Sequence, residues 1–134
     1  MDPDRLVLWL FSDGSLLLAD WLRGLAAWLR GLAATYPLLA PLPGWRVEDR
    51  FRPVDALGVA DVPPLVLTRA GLDRPELLSA TEEFLSGATR HDVPVQLVEV
   101  PEGRHGFDAL DDTEQSREAV RVARDAVLSL LDAK

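Results

Sequence analysis

The stretch RLVLWLFSDGSLLL, residues 5–18, decides the expected fold of this chain. Its six consecutive apolar residues, Leu6–Phe11, have the length of a strand that is buried on both faces, as a parallel sheet requires. The run stops at Ser12 and turns through Asp13-Gly14, after which apolar residues recur with helical spacing. We therefore predict a strand, a tight turn and a helix, with Ser12 at the carboxyl end of the strand.

Ser12 has two interpretations at this position. Ligands bind beyond the carboxyl ends of strands in open parallel sheets, so its hydroxyl would face a site. In a tight strand-to-helix turn, a serine Oγ projects as a nucleophile and the next backbone N–H points at a developing oxyanion. Alternatively, Ser12 only caps the following helix, because serine is among the best N-cap residues.

Composition and charge exclude several classes of protein. The 134 residues, 48% of them hydrophobic, suit a single domain over residues 1–134. Acidic residues outnumber basic ones by 22 to 14, and a formal charge of −8 argues against nucleic acids and anionic membranes as partners. The chain has no cysteine, which excludes disulfides and thiolate chemistry.

Targeting and metal-binding signals are also missing from the sequence. The start, MDPDR, is acidic where a secretory signal would be basic, and charged residues interrupt the apolar segment that follows the first turn. A soluble, cytoplasmic protein is expected. His91 and His105 lie far apart without companion ligands, so neither a metal site nor a cofactor is expected.

The remaining chain alternates between helical and strand patterns. The predicted strands after the first are 31–36, 65–69 and 95–100, and a short crossover is expected at 28–30. The first predicted helix is 15–23, and a second follows the capping-box pattern Asp73-Arg74-Pro75-Glu76. The final helix is expected over 113–131, with an Arg121–Asp125 ion pair. This order predicts an α/β fold, in which a mostly parallel four-stranded sheet carries helices on both faces as a three-layer sandwich.

Residues 37–64 interrupt this alternation with six prolines and two glycines. Proline fixes φ and lacks a donor, so we expect a long surface excursion with little regular structure. Tyr36, Trp45 and Phe51 are candidates for one wall of a substrate pocket, and Phe107 in a later loop is another. Alternatively, the aromatic residues only anchor the loop on the core.

Three polar residues follow the ends of three different predicted strands. Ser12 follows the first strand, Asp73 the third and His105 the fourth. Parallel strands bring their carboxyl ends to one edge, so the three side chains can converge. The order Ser, Asp, His is typical of a hydrolase triad, in which His105 exchanges protons with Ser12 and Asp73 orients the imidazole. Taken singly, Asp73 could be only an N-cap and His105 an ordinary loop histidine.

Four segments together carry a resemblance to a known family. They are LWLFSDG at 8–14, TYPLLAPLPGW at 35–45, the acid turn TRAGLDRPEL at 68–77 and the histidine turn VPEGRHGFD at 100–108. These segments resemble the carboxyl-terminal half of the α/β-hydrolase superfamily, most closely its dienelactone-hydrolase-like and esterase- or lipase-like branch. The resemblance spans nearly the whole chain.

The resemblance implies a truncated α/β-hydrolase domain that acts on small carboxylic esters or lactones without a cofactor. It implies Ser12 as nucleophile, His105 as base, Asp73 as orienting acid and the Asp13 backbone N–H as oxyanion donor. Members of the family carry further strands and a glycine-rich oxyanion loop ahead of the first strand seen here. Without that second donor, weak activity is expected.

The absent strands would leave Leu6–Phe11 as a bare hydrophobic edge, and such edges pair with other chains. We therefore expect a homodimer through antiparallel pairing of two such edges, or a partner chain that covers the edge. One alternative function is a catalytically silent remnant that serves as a dimerising or interaction module. Another is one half of a split enzyme.

Overall fold

Four parallel strands form the centre of the protein. The computed structural model describes residues 2–24, 26–59 and 61–132. The strands are β1 (Leu6–Phe11), β2 (Leu29–Thr35), β3 (Leu65–Ala70) and β4 (Val95–Val100). They pair in the order β1-β2-β3-β4, and every pair is parallel. The predicted four-stranded parallel sheet is confirmed.

The helices are α1 (Leu18–Arg23), α2 (Pro75–Arg90), α3 (Phe107–Leu110) and α4 (Glu114–Asp132), with 3₁₀ turns at Ser12–Leu17 and Pro53–Ala56. The helix expected over 15–23 is therefore divided into a 3₁₀ turn and a short α-helix. No helix within the described residues is both long enough and apolar enough to cross a membrane.

Side chains that alternate along the strands bury two separate cores. One core contains residues of α1, α2 and the sheet, among them Leu18, Leu22, Leu32, Ala34, Leu67, Phe84 and Ala88. The other contains residues of α4 and the opposite sheet face, among them Ala33, Val66, Val98, Ala119, Ala123 and Val127. Helices therefore cover both faces of the sheet, and the three-layer α/β architecture is confirmed.

Strand β2 begins two residues earlier than predicted, so the expected crossover at 28–30 lies partly in the sheet. Leu6 pairs with Leu29 and Val7 with Gly31, which leaves Arg30 as the extra residue of a bulge. A Cβ on Gly31 would come within 3.1 Å of the Pro64 carbonyl oxygen, so glycine permits the close packing here. The glycine and the bulge hide the strand pattern in the sequence.

The segment 37–64 was expected as a surface excursion, and this expectation is wrong in part. Leu38, Leu39 and Leu57 are fully buried, and the 3₁₀ turn Pro53–Ala56 packs against α1 and α2. No helix of the described residues joins β2 to β3, so this segment covers the sheet in its place. Ala60 of the segment lies outside the described residues.

The helix α4 departs from its predicted pattern in two ways. The spacing of Val120, Ala123 and Val127 predicts one buried side. Ala123 and Val127 are buried, but Val120 is 41% exposed, and alanines at 119 and 126 face the core. The predicted Arg121–Asp125 pair is not formed, because the Arg121 guanidinium binds Glu118 one turn earlier and Glu114 two turns earlier. Small side chains therefore let α4 lie close to the sheet.

Strand β1 is less buried than its apolar sequence predicts. Within the part of the chain that the structure describes, it pairs only with β2 and its other edge is open. Its residues are partly buried, and the Phe11 side chain is 43% exposed and stacked on Trp9 with ring centroids 5.6 Å apart. The strand thus combines an apolar face with unpaired backbone groups.

Candidate active site

Ser12 lies at a strained turn directly after β1. Its backbone φ is +53°, in the left-handed region that costs a non-glycine residue about 1–3 kcal/mol. Its carbonyl oxygen accepts a hydrogen bond of 3.0 Å from Leu38 N–H, which ties the turn to the segment after β2. The 3₁₀ turn has Phe11 as its N-cap and no side-chain cap, so the interpretation of Ser12 as a helix cap is wrong.

The structure brings the predicted residues Ser12, His105 and Asp73 into one hydrogen-bonded chain. Ser12 Oγ lies 2.8 Å from His105 Nε2, and His105 Nδ1 lies 2.9 Å from Asp73 Oδ2. A neutral imidazole that donates its Nδ1–H to the carboxylate leaves Nε2 as the acceptor for the serine hydroxyl. In this tautomer both distances correspond to ordinary hydrogen bonds.

Asp73 is held as a buried acceptor. Its side chain is only 3% exposed, and Oδ1 accepts a 2.8 Å hydrogen bond from Arg74 N–H while Oδ2 faces the imidazole. Helix α2 starts at Pro75 with Arg74 as the N-cap and no side-chain cap. The predicted capping box at Asp73 is therefore wrong, because both oxygens of the carboxylate bind elsewhere.

Backbone contacts bring the acid turn and the histidine turn together. Gly71 N–H donates to Val100 O at 2.8 Å, and Leu72 N–H donates to Gly103 O at 2.9 Å. A Cβ on Gly71 would collide with the backbone of Pro101, so this approach requires glycine. The two turns are thereby fixed against each other at the carboxyl ends of β3 and β4.

The histidine turn continues directly into α3, which the sequence did not predict. Gly106, with φ +79°, provides the left-handed residue that reverses the chain after His105. The Phe107 carbonyl oxygen accepts a 2.9 Å hydrogen bond from Ser116 Oγ of α4. The glycine in the motif RHGF was the available signal for this turn, but a four-residue helix is too short to give a periodic pattern.

Of the four predicted pocket residues, the structure places Tyr36 against the imidazole and Phe107 against Tyr36, whereas Phe51 packs on a separate buried cluster and anchors its segment. The ring of Tyr36 lies 4.7 Å from His105 and 5.8 Å from the buried ring of Phe107, between centroids. Trp45 is 42% exposed, and the ring contacts among the described residues do not include it. Trp45 follows a turn of the 37–64 segment, which carries it away from this cluster of rings.

Two further residues of the site were not singled out from the sequence. Asp108 Oδ1 accepts a 3.1 Å hydrogen bond from the Tyr36 hydroxyl, and Phe11 lies 6.0 Å from Tyr36 between ring centroids. Burial and the neighbouring Asp108 carboxylate raise the pKa of Tyr36 to about 12. The phenol therefore stays protonated, and remains a donor, at neutral pH.

Asp13 follows Ser12 and brings two groups close to the serine hydroxyl, a backbone N–H that can donate a hydrogen bond to an anion and a carboxylate that repels one. Its backbone N–H lies in the first turn of the 3₁₀ helix, where N–H groups have no partner within the helix. Its exposed carboxylate lies close to the nucleophile position, with Oδ1 3.4 Å from Ser12 Oγ.

Among the described residues, no cluster of three or more histidine, aspartate or glutamate side chains could hold a metal ion.

Known proteins were compared by sequence family, by sequence and by structure. No family model and no curated protein matches the sequence. Solved structures do match, including the esterase LipW from Mycobacterium marinum, with a TM-score of 0.77 at 17% identity over 96% of this chain and 51% of that one. Esterase 2 from Thermogutta terrifontis, phosphoramylated by tabun, has a TM-score of 0.76 at 15% identity, over 100% of this chain and 59% of that one.

A candidate dienelactone hydrolase from Klebsiella pneumoniae has a TM-score of 0.73 at 18% identity, over 99% of this chain and 54% of its own. The chain thus spans about half the length of the solved structures that it matches. Nearly every residue finds a counterpart in these enzymes, although few residue types are shared. The chain therefore has an α/β-hydrolase fold that corresponds to about half the length of these solved structures.

Proposed function

We propose that this protein is a serine hydrolase that acts on small carboxylic esters or lactones. Ser12 is the nucleophile, His105 the general base and Asp73 the acid that orients the imidazole. The observation that carries the proposal is the unbroken chain from Ser12 Oγ through both nitrogens of His105 to the buried Asp73 carboxylate, at 2.8 and 2.9 Å. This arrangement has the geometry of an activated nucleophile.

In the acylation step, Ser12 Oγ forms a bond to the ester carbonyl carbon while His105 Nε2 takes the hydroxyl proton. The carbonyl oxygen becomes an oxyanion, and the Asp13 N–H is positioned to donate to it. When the carbon–oxygen bond to the alcohol breaks, the imidazolium returns its proton to the leaving oxygen. The buried Asp73 carboxylate stabilises the imidazolium throughout and does not itself take the proton.

In the deacylation step, His105 Nε2 removes a proton from water as the water oxygen attacks the acyl carbon. The acid is released when the bond to Ser12 Oγ breaks and the oxygen regains its proton from the imidazolium. Among the described residues we assign one oxyanion donor, the Asp13 N–H, and the loss of one such donor typically lowers the rate of a hydrolase by about 10²–10³. We therefore expect slow turnover.

The substrate class is inferred from the structural neighbours and from the site. The compared proteins include an esterase modified by an organophosphorus compound and a candidate dienelactone hydrolase. The rings of Phe11 and Phe107 contact Tyr36, which packs against the imidazole, and their apolar surface suits an uncharged acyl or alcohol group. Small neutral esters are accordingly the first substrates to test.

The test is the hydrolysis of p-nitrophenyl acetate, with stoichiometric labelling by a fluorophosphonate probe. Ser12→Ala should lose both, and mass spectrometry should place the label on Ser12. Ser15→Ala is a matched control, because Ser15 lies three residues away in the same turn and its buried hydroxyl has no hydrogen-bond partner. Equal rates in wild type and Ser12→Ala would remove the proposal.

We also propose that a further polypeptide segment, either a second copy or a partner chain, covers the open edge of β1. Cavities of about 80 and 470 Å³ lie along this strand, between it and α4, and are lined by Trp9, Val7, Leu131 and other largely apolar groups. Exposed apolar strands of this kind pair readily. If a second copy covers the edge, light scattering at micromolar concentration should give a mass above 14.7 kDa. If a partner chain covers it, a second polypeptide should co-purify, and a monomer without such a polypeptide would contradict the proposal.

A further inference from the structure

Tyr36 contacts both His105, the proposed general base, and α3, the helix that follows the histidine turn. It comes directly after β2 and has a backbone φ of +36°, which is uncommon for an aromatic residue. Its ring packs at 57° against the imidazole of His105, with centroids 4.7 Å apart. The strained backbone thus directs the side chain over the histidine turn.

The same side chain also holds the element next to His105. The Tyr36 hydroxyl donates a 3.1 Å hydrogen bond to Asp108 Oδ1, in the first turn of α3 and three residues beyond His105. Tyr36 therefore contacts the histidine turn on both sides of Gly106, where the chain reverses. This two-point contact connects β2 to a segment that is otherwise held by the acid turn and α4.

The hydrogen bond to Asp73 does not by itself fix the orientation of the His105 ring. Asp73 binds Nδ1 from one side, and since the His105 side chain is 39% exposed, this one bond leaves rotation of the ring about it open. A ring packed beside the imidazole narrows this rotation. Since Nε2 must lie within hydrogen-bond distance of Ser12 Oγ, restricting the pivot favours the productive orientation.

We propose that Tyr36 is a positioning residue, which uses its ring and its hydrogen bond to Asp108 to hold His105 with Nε2 directed at Ser12 Oγ. The effect on hydrolysis rests on the proposed function, whereas the effect on the imidazole does not. A phenol that stays protonated suits this role, since the hydrogen bond to Asp108 persists across the working pH range. Tyr36 then acts through His105 and not through the substrate.

This role differs measurably from that of a pocket wall. A pocket wall alters KM and does so differently for acetyl, butyryl and bulkier esters. A positioning residue lowers kcat by a similar factor for every ester and leaves KM nearly unchanged. Labelling by a fluorophosphonate should slow by the same factor as kcat.

The test uses Tyr36→Phe, Tyr36→Leu, Asp108→Ala and Asp108→Asn, with Thr89→Ala as the matched control. Thr89 loses a hydroxyl that binds the Leu85 carbonyl within α2, remote from the site in the sequence and on another element. NMR of the imidazole rings supplies a readout that needs no turnover. The chain has only two histidines, so His91 is an internal reference for His105.

Tyr36→Phe keeps the ring and removes the hydrogen bond, so kcat should fall by about 3- to 10-fold. Asp108→Ala should lower kcat by the same factor, and the double variant Tyr36→Phe/Asp108→Ala should lower it no further, because both changes remove one hydrogen bond. Asp108→Asn should retain most of the activity, because its amide oxygen still accepts the hydrogen bond from Tyr36. Tyr36→Leu should lower kcat by more. Tyr36→Phe keeps the aromatic ring, so a shift of the His105 ring resonances in this variant, with those of His91 in place, reports a change in the imidazole itself and is the expected result.

Three results would overturn the positioning role. One is a loss of kcat in Tyr36→Phe no larger than that in Thr89→Ala. The second is a change confined to KM, and the third is an unshifted His105 resonance in Tyr36→Phe. If the wild-type protein neither turns over esters nor labels, the proposed function fails. The NMR comparison still decides the positioning role in that case, so the two failures are distinguishable.

Discussion

Replacing Asp13 by Asn should raise the hydrolytic rate, which is unusual for a substitution beside a nucleophile. The carboxylate of Asp13 lies 3.4 Å from Ser12 Oγ, and acylation places a new negative charge on an oxygen one carbon away from that Oγ. The negative charge of the Asp13 carboxylate thus lies close to the negative charge that develops in the transition state. Asn has nearly the same shape and keeps the backbone N–H that donates to the oxyanion.

The magnitude follows from distance and exposure. At a separation of about 5 Å, two unit charges repel by about 0.8 kcal/mol in water and by about 3 kcal/mol at an effective dielectric constant of 20. Because Asp13 is exposed, the water-like value is the appropriate one. It corresponds to an increase in kcat/KM of about fourfold, which salt should diminish.

The assay is kcat/KM for p-nitrophenyl acetate at low and high salt, with the rate of fluorophosphonate labelling as a second measure. Asp125→Asn is the matched control, because it changes the net charge equally from an exposed position on α4. The expected result is a faster Asp13→Asn variant at low salt, with the advantage reduced at high salt. A rate equal to or below that of Asp125→Asn would refute the electrostatic reasoning.

Other outcomes can be stated more briefly. Asp73→Asn should lower kcat by as much as about 10⁴, because the amide favours the wrong imidazole tautomer, and circular dichroism should show an unchanged fold. The single tyrosine should form tyrosinate near pH 12, not near 10, and Asp108→Asn should lower that pKa in an ultraviolet titration. The raised pKa of Tyr36 also means that its contribution to stability is present below pH 10 and is lost as the pH rises towards 12. Gly71→Ala should destabilise the protein by about 1–3 kcal/mol in urea unfolding, since its new Cβ meets the Pro101 backbone, whereas Gly14→Ala, with no atom within 4 Å, should not.

Much of the scaffold was predictable because strands of a parallel sheet have a strong sequence signal. The bounds of β1 and β4 match those predicted, and each strand is ended by a turn residue or proline. The order of elements then predicted one rim that carries Ser12, Asp73 and His105. Chain direction predicted that the three side chains could converge, and the structure supplied their hydrogen-bond distances.

Features that depend on close packing were not predictable. The early start of β2 is concealed by Gly31, the buried leucines of the 37–64 segment stand among prolines, and α3 is a single turn. In each case a tertiary neighbour sets the local structure, and local propensity is a weak guide. Asp73 shows the difference, since its local sequence predicted a helix cap that is not formed, whereas its place after β3 predicted the contact with the His105 imidazole.

By itself, the sequence determined the order of elements along the chain, the parallel direction and the identity of the three groups at the rim, because hydrophobic spacing and turn residues are local properties of the chain. Only the tertiary structure decided the pairing of His105 with Asp73, the placement of Tyr36 against the imidazole and the exclusion of Trp45 from that cluster. These depend on distances of a few ångströms between residues far apart in the chain. Such distances are set by how layers pack, and packing is a property of the whole molecule.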